Sequence, residues 1–199
     1  MALRQLRSAK APRTRLGRLI AAAALVASVV YADFADVSEY DVKAAYLFNF
    51  AKFVEWPSDA FRDPSEPISI AVVGDDPFDG ALDRTLAGKT IRGRTLVAKR
   101  FATAANLEHC HILFIPESEG GRTGEILARV LGTPTLTVGE TERFAHDGGM
   151  VTLVVERSRV RFDIDLKAAR DARLNPSSEL LKVARTVRGA APAPTKEGS

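Results

Sequence analysis

Apolar and polar positions repeat along this chain in two periods, and the changes of period mark its elements. From Ser38 to Pro57 the stretch SEYDVKAAYLFNFAKFVEWP is apolar on a helical period. Val42, Tyr46, Asn49, Phe50 and Phe53 fall on one stripe, and Leu47, Phe48, Ala51 and Val54 widen it. Only Glu39, Asp41, Lys43, Lys52 and Glu55 are left for solvent, so a β-sheet is the expected cover for the rest of the girth. Ser38 is the predicted N-cap, because its hydroxyl can accept a free backbone N–H of the first turn. Glu39 and Asp41 place negative charge at the positive end of the helix dipole. Pro57 is the predicted stop, since proline disfavours helical geometry at the residue before it.

Beyond Pro57 the period shortens. Ile68–Val73 reads as a buried strand rich in β-branched residues, running into Gly74-Asp75-Asp76-Pro77-Phe78. Asp76 is the predicted cap and Pro77 the first position of a helix from Phe78 to Ala87. Gly88–Gly93 reads as a turn, Thr95–Lys99 as a second strand, Ala102–Leu107 as an irregular link and His111–Ile115 as a third, central strand. Thr123–Leu131 reads as a helix stopped by Gly132 and Pro134, and Thr135–Val138 as a fourth strand. Met150–Glu156 and Val160–Asp165 flank a polar turn and form a predicted β-hairpin. Leu166–Ala172 reads as helical, and a last helix starts at Pro176-Ser177-Ser178-Glu179 and uses Leu180, Leu181, Val183, Ala184 and Val187. The predicted fold is a single three-layer α/β domain. It has a mixed, mostly parallel sheet of about six strands, helices on both faces, and a C-terminal hairpin and helix.

The ends change the domain limits. Met1–Arg18 carries six basic residues and no acid, and Leu19–Val30 is an uncharged apolar core followed by Tyr31-Ala32. Residues 1–32 therefore read as a cleavable signal peptide cut after Ala32, with Ala35 as the alternative site. The apolar core is short of the ~20 residues of a membrane span, and a retained anchor is the competing reading. Residues 33–188 are the predicted domain, and the Pro/Ala/Gly/Ser-rich stretch 189–199 the predicted disordered tail. The chain of 199 residues carries 28 basic and 25 acidic side chains, or +3; without the first 32 residues the balance is 22 against 25, or −3. The basic balance belongs to the export segment and gives no support to nucleic-acid binding. The single cysteine, Cys110, cannot form an internal disulfide and is expected as a buried, unpaired thiol.

Candidate chemistry is sparse. Gly74-Asp75-Asp76 could form an acidic pocket of the phosphate-accepting kind, but the later strand ends in Pro116 rather than Asp, and capping by Asp76 is preferred. Gly88-Lys89-Thr90 lacks the earlier glycine of a phosphate-binding loop, Asp83 standing in its place, and it follows a helix. His109 and His111 share one face of a strand, yet two ligands fall short of a closed metal site. No serine sits in a nucleophile motif, and His146 beside Asp147 alone does not define acid–base chemistry. No catalytic, cofactor or metal site is expected. Trp56, Phe61, Asp75, Phe78 and Arg161 are the candidate partner-binding residues, chosen because exposed aromatics and arginines anchor interfaces.

Several blocks together resemble the YfiR-like family of small periplasmic proteins of Gram-negative bacteria. They are Asp41–Pro57, Ile70–Phe78, Gly88–Arg94, Cys110–Ile115, Leu136–Gly139 with Phe144-Ala145 and Gly148–Met150, Val160–Asp165 and Ser177–Leu181. The resemblance implies a periplasmic regulator rather than an enzyme. It would bind the periplasmic domain of an inner-membrane sensor protein, a diguanylate cyclase in the best-known case, and by repressing it lower cyclic di-GMP and biofilm formation. Self-association into a homodimer is compatible with it. The alternative is a small-ligand-binding or sensor-accessory protein, with a pocket closed by the loop after Val73. The chain departs from the resemblance at Ala71, where many relatives carry a cysteine that can pair with the one matching Cys110. A redox response built on that bridge should be absent.

Overall fold

The computed structural model describes residues 38–190. The predicted signal peptide, residues 1–32, and most of the predicted tail, residues 189–199, lie outside them.

The first helix, α1 (Glu39–Phe53), opens on Ser38 as read from the sequence. The Ser38 hydroxyl accepts the Asp41 N–H at 3.1 Å, and the Ser38 N–H donates back to the Asp41 carboxylate at 3.1 Å. These reciprocal bonds satisfy two donors that the first turn leaves free. The helix ends four residues before Pro57, because Val54 turns extended and starts β1 (Val54–Glu55). Its partner β9 (Asn175–Pro176) lies more than a hundred residues on, and no local pattern announces it.

The main sheet has eight strands. They are β2 (Ile68–Val73), β3 (Thr90–Ile91), β4 (Arg94–Phe101), β5 (Ile112–Ile115), β6 (Leu136–Gly139), β7 (Val151–Glu156), β8 (Arg159–Asp165) and β10 (Thr186–Arg188). Their spatial order is β10-β8-β7-β6-β5-β2-β4-β3. The run β4-β2-β5-β6-β7 is wholly parallel; β7 with β8 and β3 with β4 are antiparallel hairpins. The mixed, mostly parallel sheet agrees with the sequence reading, with two short edge strands added. One is β3, within the stretch read as a turn; Arg92 and Gly93 both take positive φ there (52° and 80°), which matches the twist of a tight hairpin. The other is β10, which takes Val187 out of the predicted last helix.

The five parallel strands follow the chain order 2-1-3-4-5, so the connections leave in opposite directions on either side of the β2–β5 boundary. Both faces of this part are covered. On one, α1, α2 (Ala81–Leu86) and α6 (Ser178–Val183) bury Leu47, Phe50, Leu82 and Leu180 against Ile70, Val72, Phe114, Val138 and Phe162. On the other, α3 (Thr123–Val130) and α4 (Glu142–His146) bury Ile126 and Phe144 against Ala71, Val73, Leu113 and Ile115. A further short helix, α5 (Leu166–Asp171), follows β8 directly. The helix expected from Phe78 starts at Ala81 instead. Asp76 accepts the Phe78 N–H at 2.9 Å in a local turn, and Gly80, at φ 75°, is the N-cap. That turn drives the Phe78 ring into the core, edge-on to Phe114 and Tyr40.

Candidate functional site

The α1 helix buries Lys43, Ala44, Leu47, Phe50 and Ala51, while Val42, Tyr46, Asn49 and Phe53 are half-buried. The buried stripe is thus rotated from the predicted one, and Lys43, assigned to solvent, is 3% exposed. Two polar contacts set the rotation. The Tyr46 hydroxyl donates to the Val160 carbonyl at 3.1 Å, and the Lys43 ammonium meets the Glu140 carboxylate just beyond β6. Glu140 also accepts the Glu117 N–H at 2.7 Å and the Tyr40 hydroxyl at 3.3 Å, so one buried carboxylate ties α1 to the loops after β5 and β6. Burial pulls the Lys43 pKa down, but hydrogen bonds to Glu140 and Glu39 outweigh it and hold the ammonium above its ordinary value. Burial, followed by the Glu140 charge, raises the Tyr40 phenol. Sequence reading missed this cluster although a signal was there: Lys43 shares the i, i+4, i+7, i+11 row of Leu47, Phe50 and Val54. A lysine on such a row needs a partner.

The same strand ends hold Gly74, at φ 80°, with the Glu119 side chain packed so closely on it that a Cβ would overlap the carboxyl group. Glu119 is held there by Arg122 at 2.6 Å. This is the switch point where open α/β sheets commonly take ligands; here the Glu119 carboxylate lies against it.

The five nominated contact residues fall in three places. Trp56 and Phe61 sit half-buried beside the starts of β2 and β5. Phe61 stacks on His111 at 4.4 Å under the Arg94 guanidinium, and Trp56 meets His111 edge-on at 6.2 Å. Asp75 and Phe78 follow the opposite end of β2; Asp75 is exposed, whereas Phe78, 1% exposed, is a core residue rather than a surface anchor. Arg161 is exposed on β8, on the face opposite the buried Phe162.

His111 is fully buried. Its Nδ1 accepts the Ser69 N–H at 3.1 Å, so the neutral ring carries its hydrogen on Nε2 and offers no lone pair there to a metal. Burial, with the charge of His109 nearby, pushes its pKa down to about 4. Among the described residues no group of three or more His, Cys, Asp or Glu could hold a metal ion. Cys110 is free and 1% exposed, and burial pushes its thiol up to about 12. His146 is largely exposed and reaches Asp147 at 3.5 Å.

The fold is thus an α/β domain with a mixed sheet of the 2-1-3-4-5 kind. The chain belongs to the YfiR/HmsC-like family, whose model matches residues 40–185. A conserved domain protein from Vibrio cholerae is similar in structure, with a TM-score of 0.51 at 12% identity over 76% of this chain and 60% of that one. The ABC domain from Streptococcus pneumoniae, solved with L-Trp, gives a TM-score of 0.45 at 10% identity over 60% of this chain and 54% of its own. The first likeness is one of fold alone, and in both cases this chain spans less than two thirds of the other. No curated protein matches the chain. Among the described residues no helix is long and apolar enough to cross a membrane.

Proposed function

We propose that this protein is a periplasmic regulator that represses an inner-membrane signalling protein, a diguanylate cyclase in the first instance, and so lowers cyclic di-GMP and biofilm formation. Membership of the YfiR/HmsC-like family over residues 40–185 carries this reading. Known members regulate diguanylate cyclases from the periplasm and are not catalysts. The buried Lys43–Glu140 pair is compatible with it, because each charge already has a partner and neither is poised for chemistry. Of the nominated contact residues, Asp75 and Arg161 are exposed and are the ones retained for the partner surface, with Trp56 and Phe61 as half-buried neighbours.

The test is a cross-linking pull-down of the exported protein, tagged at its tail, in its own bacterium. The expected capture is an inner-membrane protein with a periplasmic sensor domain and a cytoplasmic cyclase domain, and deletion should raise cyclic di-GMP. Capture of a different sensor, such as a histidine kinase, would move the protein to another pathway. Capture of nothing but a second copy, at good cross-linking yield, would overturn the reading.

A further inference from the structure

Charge is divided unevenly along this chain. Residues 157–188 carry nine basic against four acidic side chains, or +5, while residues 38–156 carry 12 against 18, or −6. The basic segment is not scattered over the fold. It supplies β8 and β10, the last two strands at one edge of the sheet, and the helices α5 and α6 between them. A domain that is otherwise acidic therefore presents one strongly positive edge.

The strand period arranges the arginines of that edge. Arg159 and Arg161 lie two apart on β8, so both project from the face opposite the buried Phe162. Arg188 of β10 stands beside Asp165 on the same face, and Arg157 lies in the turn of the hairpin. All four are exposed, and among the described residues none has an ion-pair partner; Asp163, the carboxylate between Arg161 and Asp165, is already held by Arg185. The core that α3 and α4 build on this face contains no residue of β7, β8 or β10, so the arginines stand on an uncovered part of the sheet.

The chemistry of the surface selects what it takes. Unpaired guanidinium groups favour phosphate, which accepts two N–H donors from one fork. A protein partner would be expected to seat aromatic anchors, and the residues of β7, β8 and β10 on this face include no aromatic side chain. A bilayer presents phosphate over its whole surface and needs no anchor of that kind. It also repels the acidic remainder of the domain, which turns the basic edge towards it.

We propose that this edge docks the protein on a bilayer of anionic phospholipid, with Arg157, Arg159, Arg161 and Arg188 meeting headgroup phosphates. The inference rests on the reading above in placing the chain beside the inner membrane, and it gives Arg161 a lipid contact next to the partner surface. Vesicle binding is measured with no partner present, so it can fail while the pull-down succeeds, and the reverse.

Co-sedimentation of the mature protein with vesicles tests this, using phosphatidylglycerol mixed with phosphatidylethanolamine against phosphatidylcholine alone. The protein should sediment with the anionic vesicles at about 0.1 M salt, where the Debye length is ~10 Å, and be released at about 1 M, where it is ~3 Å. Phosphatidylcholine vesicles should leave it in solution. Arg157→Gln, Arg159→Gln and Arg161→Gln should each weaken binding by about fivefold, and together by about a hundredfold. The control triple Arg62→Gln, Lys89→Gln, Arg129→Gln removes the same charge from exposed positions elsewhere and should bind as the natural protein does. Equal weakening in the two triples would overturn the proposal, because net charge and not this edge would govern binding. So would equal binding to phosphatidylcholine. No sedimentation with anionic vesicles would also overturn it, and loss of partner capture in the arginine triple would then give the edge to an acidic protein surface instead.

Discussion

Two single residues show how closely side-chain identity is specified here. The Phe144 ring lies flat over Gly139 and Gly149, so near that a Cβ on either would overlap the ring. The ring is 1% exposed and has nowhere to move without opening the second core. Gly149→Ala should therefore destabilise by about 3 kcal/mol, from overpacking or loss of the ring. Denaturant unfolding would measure it, and in a Phe144→Leu background the same change should cost clearly less. Equal costs in the two backgrounds would mean that the ring is not what the glycine makes room for. His111 gives a pH prediction. Its folded pKa, about 4, lies below the ordinary 6.5. Between those values the unfolded chain binds a proton that the folded one refuses, so stability falls as pH drops through this window and gains nothing further from this group above it. The loss amounts to about 3 kcal/mol when the window has been crossed. His111→Asn keeps an acceptor for the Ser69 N–H but cannot titrate, and should flatten unfolding free energy against pH across that range. An unchanged slope would assign the effect to other groups.

At the scale of elements, α1 is held at its start by charge and along its length by apolar contact. Glu140→Gln leaves Glu39, 45% exposed, as the only carboxylate beside the buried Lys43. Breaking a buried pair from one side commonly costs about 3–5 kcal/mol, and Glu39 should reduce that to about 2 kcal/mol. Hydrogen exchange should show the added opening first at the N-terminal turns of α1; uniform loss of protection would mean that the pair does not anchor this helix in particular. The same helix shows what the sequence reveals and what it hides. Its N-cap is local chemistry and was legible from Ser38, while the return bond from the Ser38 N–H to Asp41 came only with the structure. Its rotation was not, because a helix apolar on most sides gives no unique stripe; contacts with Val160 and Glu140, about a hundred residues away, choose one. The strands β2, β5 and β6 were legible as short β-branched runs, and the β7–β8 hairpin from its polar turn. The edge strand β10 was not: Thr186–Arg188 is extended because it pairs with Asp163–Asp165, a neighbour that periodicity cannot see. Of the candidate contact residues, Phe78 was misjudged for a related reason. Asp79 and Gly80, both at positive φ, turn the chain so that an aromatic in a polar loop sequence points inward.

For the whole molecule the decisive feature is a core without a covalent tie. Cys110 and Ala71 both lie in the core beneath α3 and α4, Ala71 fully buried on β2. Neither bridge nor reactive thiolate is available there: the thiol is raised to about 12 by burial, and it is the only cysteine in the chain. The thermal midpoint should therefore be the same with and without dithiothreitol, and a thiol reagent should label one site per chain only after denaturation. Rapid labelling of the folded protein would show that the core opens at Cys110. The resemblance to relatives with a cysteine in place of Ala71 makes the converse experiment the sharper one. Ala71→Cys should oxidise to a bridge that links β2 to Cys110, two positions before β5, and closes a loop of about forty residues, raising stability by about 3 kcal/mol through its effect on the unfolded chain. The variant's midpoint would then fall on adding dithiothreitol while the natural protein's does not move. If two free thiols persist in Ala71→Cys under oxidising conditions, the two positions do not face each other in this chain, and the substitution at residue 71 belongs to a core repacked around the smaller side chain. If the bridge forms and reduction restores the natural protein's stability, the fold needs no disulfide, and its hydrophobic layers suffice to hold it.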